Sequence, residues 1–228
     1  MNTLQHVIEG RRSALLRAID CLGDPREGLK RAVRDALARA GLSVTRRTSG
    51  NDPLRFLGAR DLRCVLDIGA NTGQFAQRAR RLFPGAMIHA FEPVPGPFAE
   101  LLQLATRDHR LRCHNLALGE EDGDVTLEVN GFTPASSLLP LAPLTAEAYP
   151  YTAHTSPQKV RMTTLDRWAS QLAESLPRPL LIKMDVQGYE DRVVSGGAAT
   201  FACASVVLSE VSFQPLYQGQ VLFDELHA

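Results

Sequence analysis

A glycine-rich turn, Asp67-Ile-Gly-Ala-Asn-Thr-Gly73, follows the short apolar run Cys64 to Ile68 and precedes a stretch of helical spacing. Strand, glycine turn and helix in that order let a ligand approach the backbone closely and present the unpaired N–H groups of a helix start to an anionic group. A nucleotide-like ligand is the natural inference. A dinucleotide fingerprint starting at Gly69 would need glycines at 71 and 74, where the chain has Asn71 and Gln74, and no G-x-x-x-x-G-K-[ST] phosphate loop occurs. The acid two residues before the first glycine narrows the choice. A carboxylate there is a poor neighbour for a pyrophosphate and a good one for an ammonium or a sulfonium. S-adenosylmethionine carries both cations and one carboxylate. Asp67 is therefore expected to face its cationic side, while backbone N–H groups from Asn71 to Gly73 receive the carboxylate.

A second acid, Glu92, closes the next apolar run in His-Ala-Phe-Glu-Pro, flanked by Phe91 and Pro93. It lies about twenty residues beyond the glycine turn, the offset of an acid that pairs with ribose hydroxyls. Further on, Lys183 and Asp185 are two apart on an apolar run and share one face of the strand. A methyl transfer is an in-line displacement: the acceptor oxygen must sit about 3–3.5 Å from the methyl carbon, and a base must take the hydroxyl proton. Asp185, Glu210 and His154 are the candidate bases, with the two carboxylates ranked above the histidine. Asp166, Asp185 and Asp191 could converge, yet no His/Cys/Asp spacing resembles a metal site, so no metal is expected. There is no Asn/Asp-Pro-Pro-Tyr motif, which argues against methylation of exocyclic base amines by that route.

These residues need elements to hold them. Residues 1 to about 45 have helical spacing broken at Gly23-Asp24-Pro25, predicting an N-terminal helical extension over 1–60 that packs as a cap or as a homodimer element. Over 61–228, strands are expected at Cys64 to Ile68, Met87 to Phe91 and Leu111 to Leu118, alternating with helices at Gln74 to Phe83 and Pro97 to Ala105. That alternation is the βαβ signature of a mostly parallel, doubly wound α/β sheet. Between Gly119 and Thr164 the pattern changes to a hairpin insertion, with strands at Val125 to Val129 and Val160 to Thr163 and several prolines that rule out a long helix. The insertion is expected to act as a lid, with Ser136 and Ser137 bordering the substrate. Parallel alternation then resumes: helix Leu165 to Leu176, strand Pro179 to Val186, helix Asp191 to Gly197, strand Ser205 to Val211. The fourth parallel strand should lie beside the first, at the switch point where ligands bind, which brings Asp185 near the reacting methyl group.

Composition excludes several classes of function. Lys+Arg and Asp+Glu are both 25, so no net field gathers nucleic acid or an anionic membrane. The four cysteines, Cys21, Cys64, Cys113 and Cys203, are far apart and form no C-x-x-C pair, as in a reduced cytoplasmic protein. The N-terminus lacks signal-peptide character, and no apolar run reaches the roughly 18 residues of a membrane span. The expected partner is a small molecule.

Five segments, in order, carry a resemblance: Asp67-Ile-Gly-Ala-Asn-Thr-Gly, Phe91-Glu-Pro, Asn115-Leu-Ala-Leu-Gly, Thr164-Leu-Asp and Ile182-Lys-Met-Asp-Val-Gln-Gly-Tyr-Glu. From about Cys64 to Phe213 the chain resembles the FkbM family of methyltransferases. The resemblance implies a Rossmann-like methyltransferase fold and S-adenosylmethionine-dependent O-methylation, commonly of sugars, glycolipids or polyketide-type metabolites. It further implies that Asp67, Gly69, Asn71 and Gly73 hold the methionine moiety, with Ala70 in the same turn. Glu92, beside Pro93, would hold the ribose, and the turn Asn115, Leu116, Ala117 the adenine edge. Two departures stand out. Gln187 occupies a position that is more usually glutamate, and the chain stops at Ala228, so the helix and antiparallel strands that normally follow are expected to be missing. A cofactor-binding protein without turnover, acting in regulation or assembly, is the alternative reading. A nicotinamide-dependent oxidoreductase shares the fold class but lacks its glycine spacing.

Overall fold

The computed structural model describes residues 54, 56–57, 61–130, 136–143, 145 and 155–227. The expected N-terminal helices and His154 lie outside the described residues. Eight strands are described: β1 (Cys64–Ile68), β2 (Met87–Phe91), β3 (Leu111–His114), β4 (Ala117–Gly119), β5 (Gly123–Asn130), β6 (Thr155–Thr164), β7 (Leu180–Met184) and β8 (Val206–Ser209). Among them run the helices α1 (Gln74–Leu82), α2 (Pro95–Ala105), α3 (Leu165–Ser170), α4 (Glu190–Ser195), α5 (Ala198–Phe201) and α6 (Phe223–His227).

Five strands form a parallel sheet in the order β3-β2-β1-β7-β8. The chain starts at the centre, moves outward through β2 and β3, and returns to the other side of β1 as β7. That reversal opens a crevice beyond the strand ends between β1 and β7. Every residue of β1 and of β7 is buried, which is why both read as continuous apolar runs rather than as alternating ones. Successive side chains leave a strand on opposite faces. Leu66 and Ile68 therefore join one apolar cluster with Phe91, Leu165, Trp168 and Met184, whereas Val65 joins another with Ala76, Ala79, Ile88, Leu101 and Leu181. Proline at the first position of α2 costs it no helical hydrogen bond, because that N–H has no partner within a helix.

The hairpin insertion is present as a second sheet of order β4-β6-β5, with β5 antiparallel and β4 parallel to β6. Three expectations are corrected here. The single strand Leu111 to Leu118 divides at Asn115 and Leu116: β3 stays in the main sheet while β4 crosses to the second. The short strand at Val160 to Thr163 is a ten-residue strand that includes Pro157. Proline fits there because β4 pairs only with Met162 to Thr164, so at Pro157 only β5 flanks the strand in this sheet. The helix expected to reach Leu176 ends at Ser170; Leu172 and Leu176 still pack on the same core cluster, and their apolar spacing reflects that packing rather than a helix. After β8 the described chain adds no strand to the main sheet, only an isolated bridge from Tyr217 to Leu141 and the short α6. No described helix is long and apolar enough to cross a membrane.

Side by side on β2 and β3 stand a buried histidine, His89, and a partly buried one, His114. His89 Nδ1 and His114 Nε2 are 3.1 Å apart, and Trp168 meets both rings edge-on. One ring must donate and the other accept, which suits the neutral pair. Burial lowers both from 6.5 to about 4. Between those values the unfolded chain takes up protons that the native pair refuses, so stability rises with pH across this window and is lost as pH falls from 6.5 towards 4. Urea titrations at pH 7 and pH 4.5 should differ by roughly 2–4 kcal/mol, with a smaller difference in His114→Gln. Equal pH dependence in the variant would remove the pair as the cause.

Candidate functional site

The glycine turn that follows β1 is fastened to the end of β2. Gly69 N–H and Ala70 N–H both donate to the Phe91 carbonyl, at 3.1 and 2.9 Å. Gly69 has φ +73, and a Cβ built on it would stand 1.9 Å from the Asp185 carbonyl oxygen. Only glycine lets the tips of β1 and β7 close to this distance. Asn71 also sits in the left-handed region, at φ 48, where asparagine is tolerated, and its Oδ1 accepts from Thr72 N–H at 2.8 Å.

Glu92 ends β2 with 5% of its surface exposed. Its carboxylate accepts from Asn71 N–H through Oε2 and from Val94 N–H through Oε1, each at 2.8 Å. Burial pushes this acid up, opposed by those two hydrogen bonds. Asn115 clips the following loop by donating to the carbonyls of Glu92 and Pro93, at 2.9 and 3.0 Å.

Above these strand tips opens a cleft of about 810 Å³, a size that suits a small molecule. Of the residues singled out from the sequence, Gly69, Ala70, Asn71, Glu92, Pro93, Leu116, Ala117, Asp185 and Glu210 line it, as do Ser136 and Ser137 of the insertion. Asp67, Gly73 and Asn115 are not among its lining residues. The expectation that Asp67 faces a ligand needs correcting, because its exposure is 0%. Its close contact is Lys183, whose Nζ lies 3.1 Å from Oδ1, and no hydrogen bond of good geometry reaches either carboxylate oxygen. Burial pushes Asp67 up while the Lys183 charge pulls it down. Lys183 itself lines the cleft, donates to the Gly69 carbonyl at 2.8 Å, and stands 3.8 Å from Asp185 Oδ2. The sequence paired Lys183 with Asp185 by their spacing; the shorter contact, to Asp67 on the neighbouring strand, follows from the register that sets Asp67 opposite Lys183.

Beyond β7 the backbone turns through two left-handed residues, Gln187 at φ 57 and Gly188 at φ 94. Buried Glu190 stabilises the turn by accepting from Val186 N–H and Gly188 N–H, both at 3.0 Å. Gln187 Nε2 donates to Asp185 Oδ1 at 2.7 Å and to Glu210 Oε2 at 2.9 Å. Burial first, and then the adjoining Asp185 carboxylate, raise Glu210 to about 7. A carboxylate so placed is half ionised near neutrality and can accept a proton there. Gln187, Glu190 and Tyr217 were not singled out as site residues from the sequence. The acid four residues after Val186 is the one local signal that could have disclosed the turn. Asp166 is engaged elsewhere, accepting from Ala199 N–H, Thr200 N–H and the Thr200 hydroxyl at the start of α5. Among the described residues no group of three or more His, Cys, Asp or Glu is placed to hold a metal ion.

Residues 67–228 match the family model described as the methyltransferase FkbM domain. The 2-O-methyltransferase NoeI of Sinorhizobium fredii (strain NBRC 101917 / NGR234) is 32% identical over 164 residues, covering 69% of this chain and 66% of that protein. The 31-O-demethyl-FK506 methyltransferase FkbM of Streptomyces tacrolimicus is 33% identical over 153 residues, covering 58% of each. The chain thus spans less than two thirds of the length of these curated relatives. The crystal structure of methyltransferase FkbM from Methylobacillus flagellatus KT aligns at 16% identity and a TM-score of 0.41, covering 62% of this chain and 30% of that one.

Proposed function

This chain belongs to the FkbM methyltransferase family, and from that premise we propose that it transfers a methyl group from S-adenosylmethionine to a hydroxyl oxygen of a small molecule. The acceptor classes in view are sugars, glycolipids and polyketide-type metabolites. The observation that carries the reading is the pair of adjacent strand tips, where a glycine turn without room for a Cβ stands beside a nearly buried acid, Glu92. The strand order β3-β2-β1-β7-β8 supports a Rossmann-like methyltransferase sheet.

The residues present fit the cofactor. Each Glu92 oxygen takes one backbone N–H and keeps a lone pair for a hydroxyl donor, as a ribose would supply. Gly69, Ala70 and Asn71 offer a wall of backbone, and Leu116 and Ala117 an apolar edge for a flat ring. Glu92, Asp185 and Glu210 line the cleft beside Lys183 and Arg78, with Asp67 buried behind Lys183, an excess of acids that favours a cationic ligand. In this reading Asp67 acts through Lys183, holding the ammonium that supports the glycine turn and Asp185. S-adenosylmethionine supplies a methyl carbon activated by its sulfonium. The chain orients the acceptor hydroxyl, and Glu210, with Asp185 beside it, takes the proton as the new O–C bond forms and the bond from sulfur to the methyl carbon breaks, the sulfur leaving as the neutral thioether of S-adenosylhomocysteine. A carboxylate poised near neutrality at the cleft wall favours turnover over binding alone.

Calorimetry tests the cofactor assignment first. S-adenosylmethionine and S-adenosylhomocysteine should each bind, with dissociation constants of order 1–100 μM, and NAD should give no heat. Binding of NAD alone would overturn the reading. A panel of sugar, glycolipid and polyketide-type alcohols, offered with methyl-labelled donor, should then yield an acid-stable methyl ether on one class.

A further inference from the structure

The side-chain amide of Gln187 lies between groups that decide its orientation. Its nitrogen faces both acids, donating to Asp185 Oδ1 at 2.7 Å and to Glu210 Oε2 at 2.9 Å, and its oxygen points away. On that far side the Tyr217 hydroxyl donates to Gln187 Oε1 at 2.9 Å. The Gln187 main-chain carbonyl is held as well, accepting from the Ser137 hydroxyl at 2.6 Å. Tyr217 is itself fixed, with 4% exposure, a bridge to Leu141 and its ring against Gly188, where a Cβ would meet it at 3.1 Å. Burial first, and then the charges of Glu210, Glu190 and Asp185, push its phenol above the usual range, so it remains a donor.

We propose that Tyr217 is a positioning residue for the transfer reaction: its hydroxyl locks the Gln187 amide so that both N–H groups aim at Asp185 and Glu210. The inference rests on the assignment of those carboxylates to the acceptor proton. It gives the segment after β8 a part in the site, although Tyr217 is not among the residues lining the cleft. A hydrogen bond from the amide favours ionised Glu210 and opposes the burial and the Asp185 charge that favour its protonated form. With the hydroxyl gone, the amide loses the partner that anchors its oxygen and can swing off the line to Glu210, and the less an N–H reaches Glu210, the more tightly that acid holds its proton.

The test uses the full chain with carbon-labelled carboxyl groups and nitrogen-labelled glutamine, followed by NMR. In the unaltered protein the two Gln187 amide protons should be resolved and slow to exchange, and Glu210 should titrate near 7. Tyr217→Phe keeps the ring and removes only the hydroxyl. The amide protons should then exchange faster and the Glu210 midpoint should rise by about 0.5–1 pH unit. The pH profile of turnover should move with it, and affinity for S-adenosylmethionine should stay put. Gln187→Ala, which deletes both donors, should shift the midpoint further in the same direction. An unchanged Glu210 midpoint in Tyr217→Phe overturns the proposal. Should that variant fail to fold, fast-exchanging, unresolved amide protons in the unaltered protein overturn it equally. Failure of the catalytic reading looks different: Glu210→Gln keeps its turnover while the Tyr217→Phe effect on the Glu210 midpoint persists.

Discussion

Turnover by Glu210→Gln should fall by about 100- to 10,000-fold, the loss expected when a positioned general base is removed. The substitution keeps the size of the side chain and replaces the accepting carboxylate by an amide. Affinity for S-adenosylmethionine should change by no more than about threefold, because the contacts assigned to the donor belong to the turns after β1, β2 and β3. The pH dependence provides a second reading. A base must be ionised to accept, so activity of the unaltered protein should rise with pH to a plateau, half-maximal near the value of about 7 set by burial and Asp185. In Glu210→Gln that rise should vanish from the residual rate. Retention of both the rate and the profile would transfer the role to Asp185 or to His154. A proportional loss of donor affinity would instead mark Glu210 as a binding group.

The second large effect is structural. Gly69→Ala places a methyl group 1.9 Å from the Asp185 carbonyl oxygen and 2.9 Å from its carbon, on a residue at φ +73. Both obstacles are backbone, so neither yields by a side-chain rotation. The strain of a left-handed alanine and the forced separation of β1 from β7 together should cost about 2–5 kcal/mol. Separation at this point breaks the bond from Asp185 N–H to the Ile68 carbonyl, 3.1 Å in the native protein, and moves Lys183 off the Gly69 carbonyl. Any folded fraction should show no measurable heat with S-adenosylmethionine. Gly96→Ala supplies the control: nothing lies within 4 Å of its Cβ and it sits in α2, so its midpoint of unfolding should hold or rise slightly. Equal behaviour of the two variants would show that the approach of the two strand tips is not what requires glycine at 69.

The parts of this architecture that were legible in the sequence share one property, which is that local chemistry and global environment agree. The runs at Cys64, Met87 and Leu180 are apolar because both faces of their sheet are covered, and glycines mark the turn where β1 must meet β7. Gly69, Ala70, Asn71, Glu92, Pro93, Asp185 and Glu210 reach the cleft wall because strand ends in a sheet of this order converge there. Illegibility has equally specific causes. Asn115 and Leu116 divide an apolar run between two sheets, and nothing local distinguishes a strand that continues from one that changes partner. Leu172 and Leu176 keep helical spacing without a helix. The Asp67 to Lys183 contact spans more than a hundred residues and depends on register, and the approach of Tyr217 to Gln187 depends on where the irregular segment after β8 is pinned at Leu141. Glutamine at 187 looked like a loss of charge. In the folded chain, an amide is the side chain that can satisfy two acids and a phenol at once.

Lys183 touches both halves of the cleft, with one ammonium between the acid and carbonyls of β1 and the acid after β7. A charge held in common couples the two strand tips, because whatever draws the ammonium towards one acid weakens its hold on the other. Two ligands that prefer the same position of that ammonium would each raise the affinity of the other, by an equal factor. Communication across the crevice would then need only the sharing of a single cation and no moving part.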